Sequence, residues 1–439
     1  MKNDSVKNIV IVGGGAGGLE MVTSLSKRYS KGQYKITLID KEKTHIWKPH
    51  LHEVAAGSLD SHYEQVDYLN LASKFNFEFV WGEMSNLNKE TKTVTVKQKI
   101  NSSGEEILPE REVKYDNLII AVGSTSNHFG TPGVKDYSFS LDDLASANSF
   151  HETMLEKVLQ KEHKDNDSGH FSVVIVGGGS TGCELAAQLH QSTRQLSQFG
   201  LEKLKNKPIK ITVINAADQL LPGLSQKISD GAKQILDDLE VKVLNSSKVI
   251  ALEKNKAIID HKGENIELFA DLIVWAAGVK SPDFLSQLGL ETNRGNQFIV
   301  NGQLQTSDSS IFAIGDCASA KWINAPKEGM NVPPRAQSAH QMSEYLVKYI
   351  DKINNGQKVP DFVYKDFGSL ISLGSGETVG TLMGFMQGKS LFVEGKVAKL
   401  MYLHLYQHHQ IKINGLIPAF FLLIGKLIQK RFKPTVKLH

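Results

Sequence analysis

Apolar residues gather along this chain in short runs that close on glycine. The first run, at 9–12, leads into Gly13, Gly14 and Gly15. A continuous apolar run of this length, bounded by a turn signal, predicts a strand buried on both faces of a parallel sheet. Residues 16–29 read as the helix that follows, and 35–39 as a second strand closed by Asp40. The chain returns in another buried strand at 116–124. The succession then repeats: an apolar run at 173–176 enters Gly177, Gly178 and Gly179, a strand follows at 209–214, and 271–278 mirrors 116–124. This is the duplication of a whole βαβ-based domain rather than of a short unit.

Between the repeats the pattern predicts smaller features. Residues 47–57 are a loop turning into a helix. Residues 94–99 with 112–114, and 248–260 with 265–269, read as two antiparallel excursions. A polar, charge-rich surface connection is expected at 161–170. A late buried strand at 309–316 ends in Gly315-Asp316, and a helix from about 335 to 350 starts behind Pro333 and Pro334. The expected fold class is α/β: two Rossmann-type dinucleotide-binding domains with small antiparallel excursions and a C-terminal region of different character.

The glycines add chemistry. Gly13, Gly15 and Gly18, and again Gly177, Gly179 and Gly182, fall on the G-x-G-x-x-G spacing between strand and helix. That spacing gives a tight turn, a close backbone approach for a pyrophosphate, and close packing of helix on sheet. The helix N-terminus then meets the phosphate charge. Asp40 stands where an acid can bind ribose hydroxyls. Candidate residues of the first site are Gly13, Gly15, Ala16, Gly17, Gly18, Asp40, Lys41, Ala121 and Gly123. Those of the second are Gly177, Gly179, Thr181, Gly182, Glu184, Asn215, Ala277 and Gly278.

Composition narrows the class. The chain has 439 residues, 41% hydrophobic and 22% charged, which suits two or three folded domains. Its two cysteines, Cys183 and Cys317, form no CxxC, so neither a metal ribbon nor a dithiol redox centre is indicated, and reduced thiols in a cytoplasmic setting fit. No run reaches the ~18 apolar residues of a spanning helix. His404 and His408 have metal spacing but no partner carboxylate or cysteine, so no metal site is expected. Net charge is only +3, yet no acid follows Glu394, and Lys396, Lys399, Lys412, Lys426, Lys430, Arg431, Lys433 and Lys437 make the tail basic and the body acidic.

Nearly end to end, these segments resemble the type II NADH:quinone oxidoreductases, single-subunit flavoproteins with two dinucleotide-binding domains. The resemblance is carried by GGGAGGLE, WKPHLHEVAAGSLD, GSTSN, GGGSTGCEL, LIVWAAG, FAIGDCA and VPPRAQSAHQM. Its most specific part, from Ala336 to Gln341, matches the family's AQxAxQ quinone motif. The resemblance implies FAD, non-covalently bound, in the first site and NADH in the second. Gly315, Asp316, Ala336 and Gln337 then belong with the FAD site. Gln337 and Gln341, which share one helix face, would address the quinone, and Glu184 would help deliver protons. Trp47, Lys48 and Pro49 match a loop near the flavin and are given no chemistry. Asn215 departs from the family, which commonly has glutamate there, so rejection of NADPH should weaken.

Domain limits are expected at 1–125 (FAD, first part), 126–290 (NADH), 291–365 (FAD, second part with the quinone helix) and 366–439. In that last region, 416–425 is strongly apolar but too short to span a bilayer. Continued as a helix, it places Phe420, Leu423 and Leu427 beside Phe421, Ile424 and Ile428, with Lys426, Lys430 and Lys433 towards another face. This reads as a helix lying in the membrane interface. The implied partners are a membrane quinone and an anionic phospholipid surface, with no nucleic acid and a homodimer left open. The implied place is the cytoplasmic face of the bacterial inner membrane, peripheral, with no path for proton pumping. A soluble reductase of a protein carrier and a flavin-bound NADH sensor stay open as alternatives.

Overall fold

Strand Lys7–Val12 (β1) sits at the centre of the first sheet, its last four residues fully buried. A computed structural model of the chain describes residues 6–29, 32–164, 169–374, 378–382 and 391–432. Helix Ala16–Arg28 (α1) leaves the glycine turn, and strand Tyr34–Asp40 (β2) returns parallel to β1, pairing Ile9 with Ile36 and Val12 with Ile39. Five strands form the sheet in the order 311–313, 117–120, 7–12, 34–40, 78–81. Its outermost strand thus comes from a segment almost two hundred residues downstream of the others, as the late apolar run at 309–316 suggested.

The second sheet repeats this plan. After helix Leu144–His163 (α2), strand Ser172–Val176 (β3), helix Ser180–Leu196 (α3) and strand Lys210–Ile214 (β4) build a five-stranded sheet in the order 139–140, 272–275, 172–176, 210–214, 242–244. Continuous apolar runs such as 173–176 suit this setting, because helices cover both faces of a parallel sheet. A short antiparallel pair, Thr125 with Lys280 and Ser126 with Val279, connects the two units.

Three local expectations are corrected. The 248–260 run is not one arm of a hairpin but two strands, Ser247–Glu253 and Lys256–His261, followed by Glu264–Phe269. The extra turn closes on Asn255, whose φ of 58° is a left-handed conformation that asparagine tolerates. The 94–114 excursion likewise gains a third strand, Met84–Asn88. The surface connection begins later than expected: α2 continues through His163, and Lys161 ion-pairs with Asp271 at 3.1 Å.

Towards the C-terminus, helix Ala336–Asn354 (α4) packs along α1. A three-stranded sheet, Gly368–Ser372, Thr378–Leu382 and Leu391–Glu394, precedes helices Gly395–Asn414 (α5) and Leu416–Phe432 (α6). Among the described residues, no helix is long and apolar enough to cross a membrane.

Candidate active site and its two nucleotide cradles

Both glycine turns are built for close approach. Gly13 has φ +102° and Gly177 has φ +121°, values open to glycine and costly for other residues. A Cβ on Gly18 would stand 1.9 Å from the Gly13 carbonyl oxygen, and one on Gly182 would stand 1.9 Å from that of Gly177. These contacts seat each helix on its strand. Gly15 and Gly179, by contrast, face open space to beyond 4 Å, at the N-termini of α1 and α3. The free N–H groups and dipole of each helix end suit a pyrophosphate there. Ala16 follows Gly15 at the helix start, and Thr181 is exposed in the first turn of α3.

Asp40 closes β2 and is anchored from both oxygens: Oδ2 accepts the Gly14 N–H at 2.5 Å and Oδ1 the Glu42 N–H at 2.8 Å. Burial pushes its carboxyl upward against these two donors. Lys41, more than half exposed, pairs with Asp143 at 3.6 Å. Ala121 abuts Gly13, while Gly123 faces open space. Ser124 joins the early and late parts of the first unit. Its Oγ donates to Asp316 Oδ2 at 2.7 Å, and its carbonyl accepts from Lys48 Nζ at 2.7 Å. The start of α4 closes on this cradle, with Ala339 against both Gly17 and Gly315. Ala336 opens that helix. In the second unit the Ala277 carbonyl accepts from Trp275 Nε1, and Gly278 lies under the Phe129 ring.

The glutamines of α4 are engaged by a segment the sequence did not single out. Gln341 binds the main chain of Lys365 twice, donating from Nε2 to its carbonyl at 2.8 Å and accepting its N–H at 2.9 Å. Gln337 Oε1 accepts the Tyr364 hydroxyl at 2.5 Å and the Phe367 N–H at 3.4 Å. A few residues on, the Ser372 N–H donates to Glu184 Oε1 at 3.0 Å. One run, 364–372, therefore touches all three residues expected to serve the quinone.

Glu184 lies buried in α3. Burial and the charge of Glu53 raise its carboxyl to about 8 against the Ser372 N–H. It therefore holds a proton at neutral pH. His52 Nδ1 lies 3.6 Å away, and burial pushes that imidazole down to about 4, leaving it neutral. Tyr402 of α5 adds a buried hydroxyl with no hydrogen-bond partner among the described residues, its pKa raised by burial and by Glu184 and Glu53. No sequence signal joined His52 or Tyr402 to Glu184.

Glu20 occupies the same place in the first glycine motif that Glu184 occupies in the second, seven residues after the first glycine. Burial would raise its carboxyl, but hydrogen bonds from His340 and His409 and their charge hold it at about 2. His409 Nδ1 donates to Glu20 Oε1 at 2.6 Å, and His340 Nδ1 donates to Oε2. Burial pushes His45 down to about 3, so it is neutral; its Nδ1–H donates to the Gly14 carbonyl and its Nε2 accepts from His409 at 3.0 Å. Trp47 lies against His409, with ring centroids 4.2 Å apart. This network joins α5 to the first phosphate turn.

Cys183 and Cys317 are fully buried, and burial pushes both thiols up to about 12. Such thiols are inert and do not serve as redox cysteines. His404 and His408 are exposed. No cluster of metal-ligating side chains occurs among the described residues.

Two nucleotide cradles in tandem, the first closed by the N-terminus of α4, define a pyridine-nucleotide flavoprotein. The family model for pyridine nucleotide-disulphide oxidoreductases matches residues 7–343. The type II NADH:quinone oxidoreductase of Haemophilus influenzae is 36% identical, over 99% of this chain and all of that protein. The one from Staphylococcus aureus is 31% identical, over 94% of this chain and 98% of its own. Among solved structures, NDH2 of Plasmodium falciparum in complex with NADH has a TM-score of 0.82 at 22% identity, covering 99% of this chain and 100% of that one. The sulfide:quinone oxidoreductase of Aquifex aeolicus has a TM-score of 0.73 at 20% identity, covering 97% and 95%; at this identity both likenesses speak for the fold. The chain belongs to the pyridine nucleotide-disulphide oxidoreductases and, within them, to the type II NADH:quinone oxidoreductases. Its cofactors are FAD and NADH, and the open glycine turns, Asp40 and the Ser124–Asp316 contact fit an FAD in the first cradle.

Proposed function

We propose that the chain oxidises NADH at the second cradle and reduces a membrane quinone beside Gln337 and Gln341. FAD, when bound, supplies the two-electron relay between them. The protein's own work is positioning and proton supply. The α4 N-terminus presents free N–H groups and the positive end of its dipole to negative charge at the first cradle. Gln337, with Oε1 taken by Tyr364 and Phe367, offers Nε2 as a donor to a quinone carbonyl. Glu184 carries a proton at neutral pH and is the group from which quinol formation draws one. The observation that carries this reading is the run 364–372, which binds Gln337, Gln341 and Glu184 together. We assign the limits 1–125, 126–290, 291–365 and 366–439 to the FAD, NADH, second FAD and membrane parts.

The membrane reading draws on α6. Leu416, Ile417 and Phe421 are each about two-thirds exposed, and Phe420, Leu427 and Ile428 more than half. An apolar surface of this kind suits an interfacial helix on an anionic phospholipid surface. One expected contribution changes: Lys426 turns inward, donating to Glu64 at 2.6 Å and to the Tyr406 hydroxyl at 3.0 Å. A buried carboxylate needs a cation more than the surface does. Lys433 lies outside the described residues. We place the protein on the cytoplasmic face, the side on which free thiols such as Cys183 and Cys317 persist.

Anaerobic stopped-flow absorbance tests the reaction: NADH should bleach the bound flavin, and a short-chain quinone should restore it. Failure of the second step would leave the sensor reading in its place. For the membrane, the deletion must spare Ile413, which is buried in the main core. Removing 416–439 should abolish co-flotation with anionic vesicles while FAD stays bound; continued co-flotation would sink the anchor.

A further inference from the structure

Glu20 lies about one turn into α1, and its two oxygens go to two helices from the far end of the chain. Oε2 accepts from His340 Nδ1 of α4, and Oε1 accepts from His409 Nδ1 of α5 at 2.6 Å. Glu20 and His409 are buried, and the His340 side chain is 21% exposed. His340 stands in the helix between Gln337 and Gln341, and Ala339 before it packs on Gly17 and Gly315. Around the helix axis His340 is turned roughly 60° from Gln337 and roughly 100° from Gln341. The start of α4 is therefore held on two sides: residues 364–367 hold the glutamines, and Glu20 holds His340.

The other charged neighbours come from α4, α5 and the strand at 44–45. His340 Nε2 lies 3.4 Å from Glu344 Oε1, which also takes Lys412 Nζ at 2.7 Å. His408 sits edge-on to the His340 ring, with centroids 5.1 Å apart. His45 backs His409 from the other side and is neutral. Arg28 and Lys348 border the same cleft. Burial pushes the His340 imidazole down, but the hydrogen bond and charge of Glu20 and the charge of Glu344 outweigh it and raise it above its ordinary 6.5. Burial and the charges of His340 and Lys412 move His408 the other way.

We infer that Glu20 is a positioning residue for the quinone reaction: through protonated His340 it holds the start of α4, and with it Gln337 and Gln341, against α1, and the hold weakens when His340 loses its proton. This rests on the quinone binding beside those glutamines. Neutral His340 still donates from Nδ1, but a hydrogen bond between ions is roughly twice as strong as a neutral one. Its bare Nε2 then faces the Glu344 carboxylate, acceptor against acceptor. The hold is complete below 6.5 and is lost as pH rises through the raised value. The second oxygen carries the same hold to α5, so one carboxylate ties the first phosphate turn to both helices of the quinone side.

Hydrogen exchange of the FAD-loaded protein, read by mass spectrometry, tests the hold without quinone. Protection of 336–343, corrected for the intrinsic pH dependence and referred to β3, should fall severalfold as His340 deprotonates. Glu20→Gln keeps the shape and should move that fall about one pH unit or more lower. His340→Gln leaves the acid on α1 in place and should remove the pH-dependent fall. In flavin reoxidation by a short-chain quinone at neutral pH, Glu20→Gln should raise the half-saturating quinone concentration about fivefold and leave the limiting rate nearly unchanged. Glu184, the proton donor, would act on the limiting rate, so the split separates the two acids. FAD content and the melting temperature report whether each variant is folded. The inference is overturned if wild-type protection of 336–343 does not change with pH, or if Glu20→Gln leaves the fall where it was. It is also overturned if Glu20→Gln slows reduction by NADH as much as it weakens quinone. Shifted protection profiles in a protein whose flavin no quinone restores would instead overturn the proposed reaction and leave the hold on α4 standing.

Discussion

The two nucleotide units share a backbone and diverge in the side chains set on it. In both, a helix glycine closes to 1.9 Å from the first glycine's carbonyl, and the middle glycine opens to space. On that common frame Asp40 accepts two backbone N–H groups, whereas Asn215 donates to three oxygens. Glu20 and Glu184 occupy equivalent helix positions, yet one is held at about 2 and the other raised to about 8. Two histidines face Glu20, while Glu184 meets burial and a second acid. Duplication thus carries phosphate binding from one unit to the other, because backbone geometry supplies it. Proton affinity does not transfer, because neighbours outside the repeat set it.

The strongest way to break the comparison uses the shared clash. Gly18→Ala and Gly182→Ala each drive a methyl into a carbonyl, an overpacking that ordinary relaxation does not absorb. Gly18→Ala should purify without FAD, read from the ratio of flavin to protein absorbance. Gly182→Ala should keep FAD yet reduce it with NADH at least about 100-fold less efficiently, about 2.7 kcal/mol of barrier. Loss of FAD in both would show that the cradles are not independent.

A second contrast separates the half-reactions. Gln337→Ala with Gln341→Ala should slow reoxidation by quinone about tenfold or more, about 1.4 kcal/mol of barrier, and leave reduction by NADH nearly unchanged. Gln341→Ala alone releases the main chain of Lys365, so trypsin should cut there faster than in wild type. Equal slowing of both half-reactions would remove the glutamines from the quinone side.

The paired glutamates predict opposite pH effects on stability, followed by urea midpoints. Glu20 falls from 4.5 to about 2 on folding. Its stabilisation is present above 4.5 and lost as pH drops through about 2, so Glu20→Gln should remove that acid-side loss. Glu184 rises from 4.5 to about 8. The native state then holds the proton more tightly, and stability falls as pH climbs from 4.5 through about 8; Glu184→Gln should flatten that decline. Slopes of the same sign in the two variants would contradict the assigned environments.

The smallest effect concerns the hairpins. Lys92 and Asn255 close equivalent turns in left-handed conformation, at φ 51° and 58°. Lys92→Asn should stabilise by about 0.5 kcal/mol and Asn255→Lys destabilise by a similar amount, since asparagine visits this region more readily. Thermal melts of both would show it.

What the sequence by itself determined was local and periodic. Apolar runs of four or five residues closed by glycine marked β1 and β3, and the spacing of Gly13, Gly15 and Gly18 marked a phosphate turn. A strand's burial on two faces and a glycine's close contacts leave a signature within a few residues. Lys426 looked like a surface lysine from its helix face, and only the fold brought Glu64 beneath it. Gln341 meets Lys365 through a turn of chain whose course no periodicity encodes. Glu20 and Glu184 were alike in sequence; His409 and His340 on one side, and Glu53 and Ser372 on the other, made them different. These decisions belong to tertiary structure because desolvation and charge pairing act through space, between residues as much as 389 positions apart.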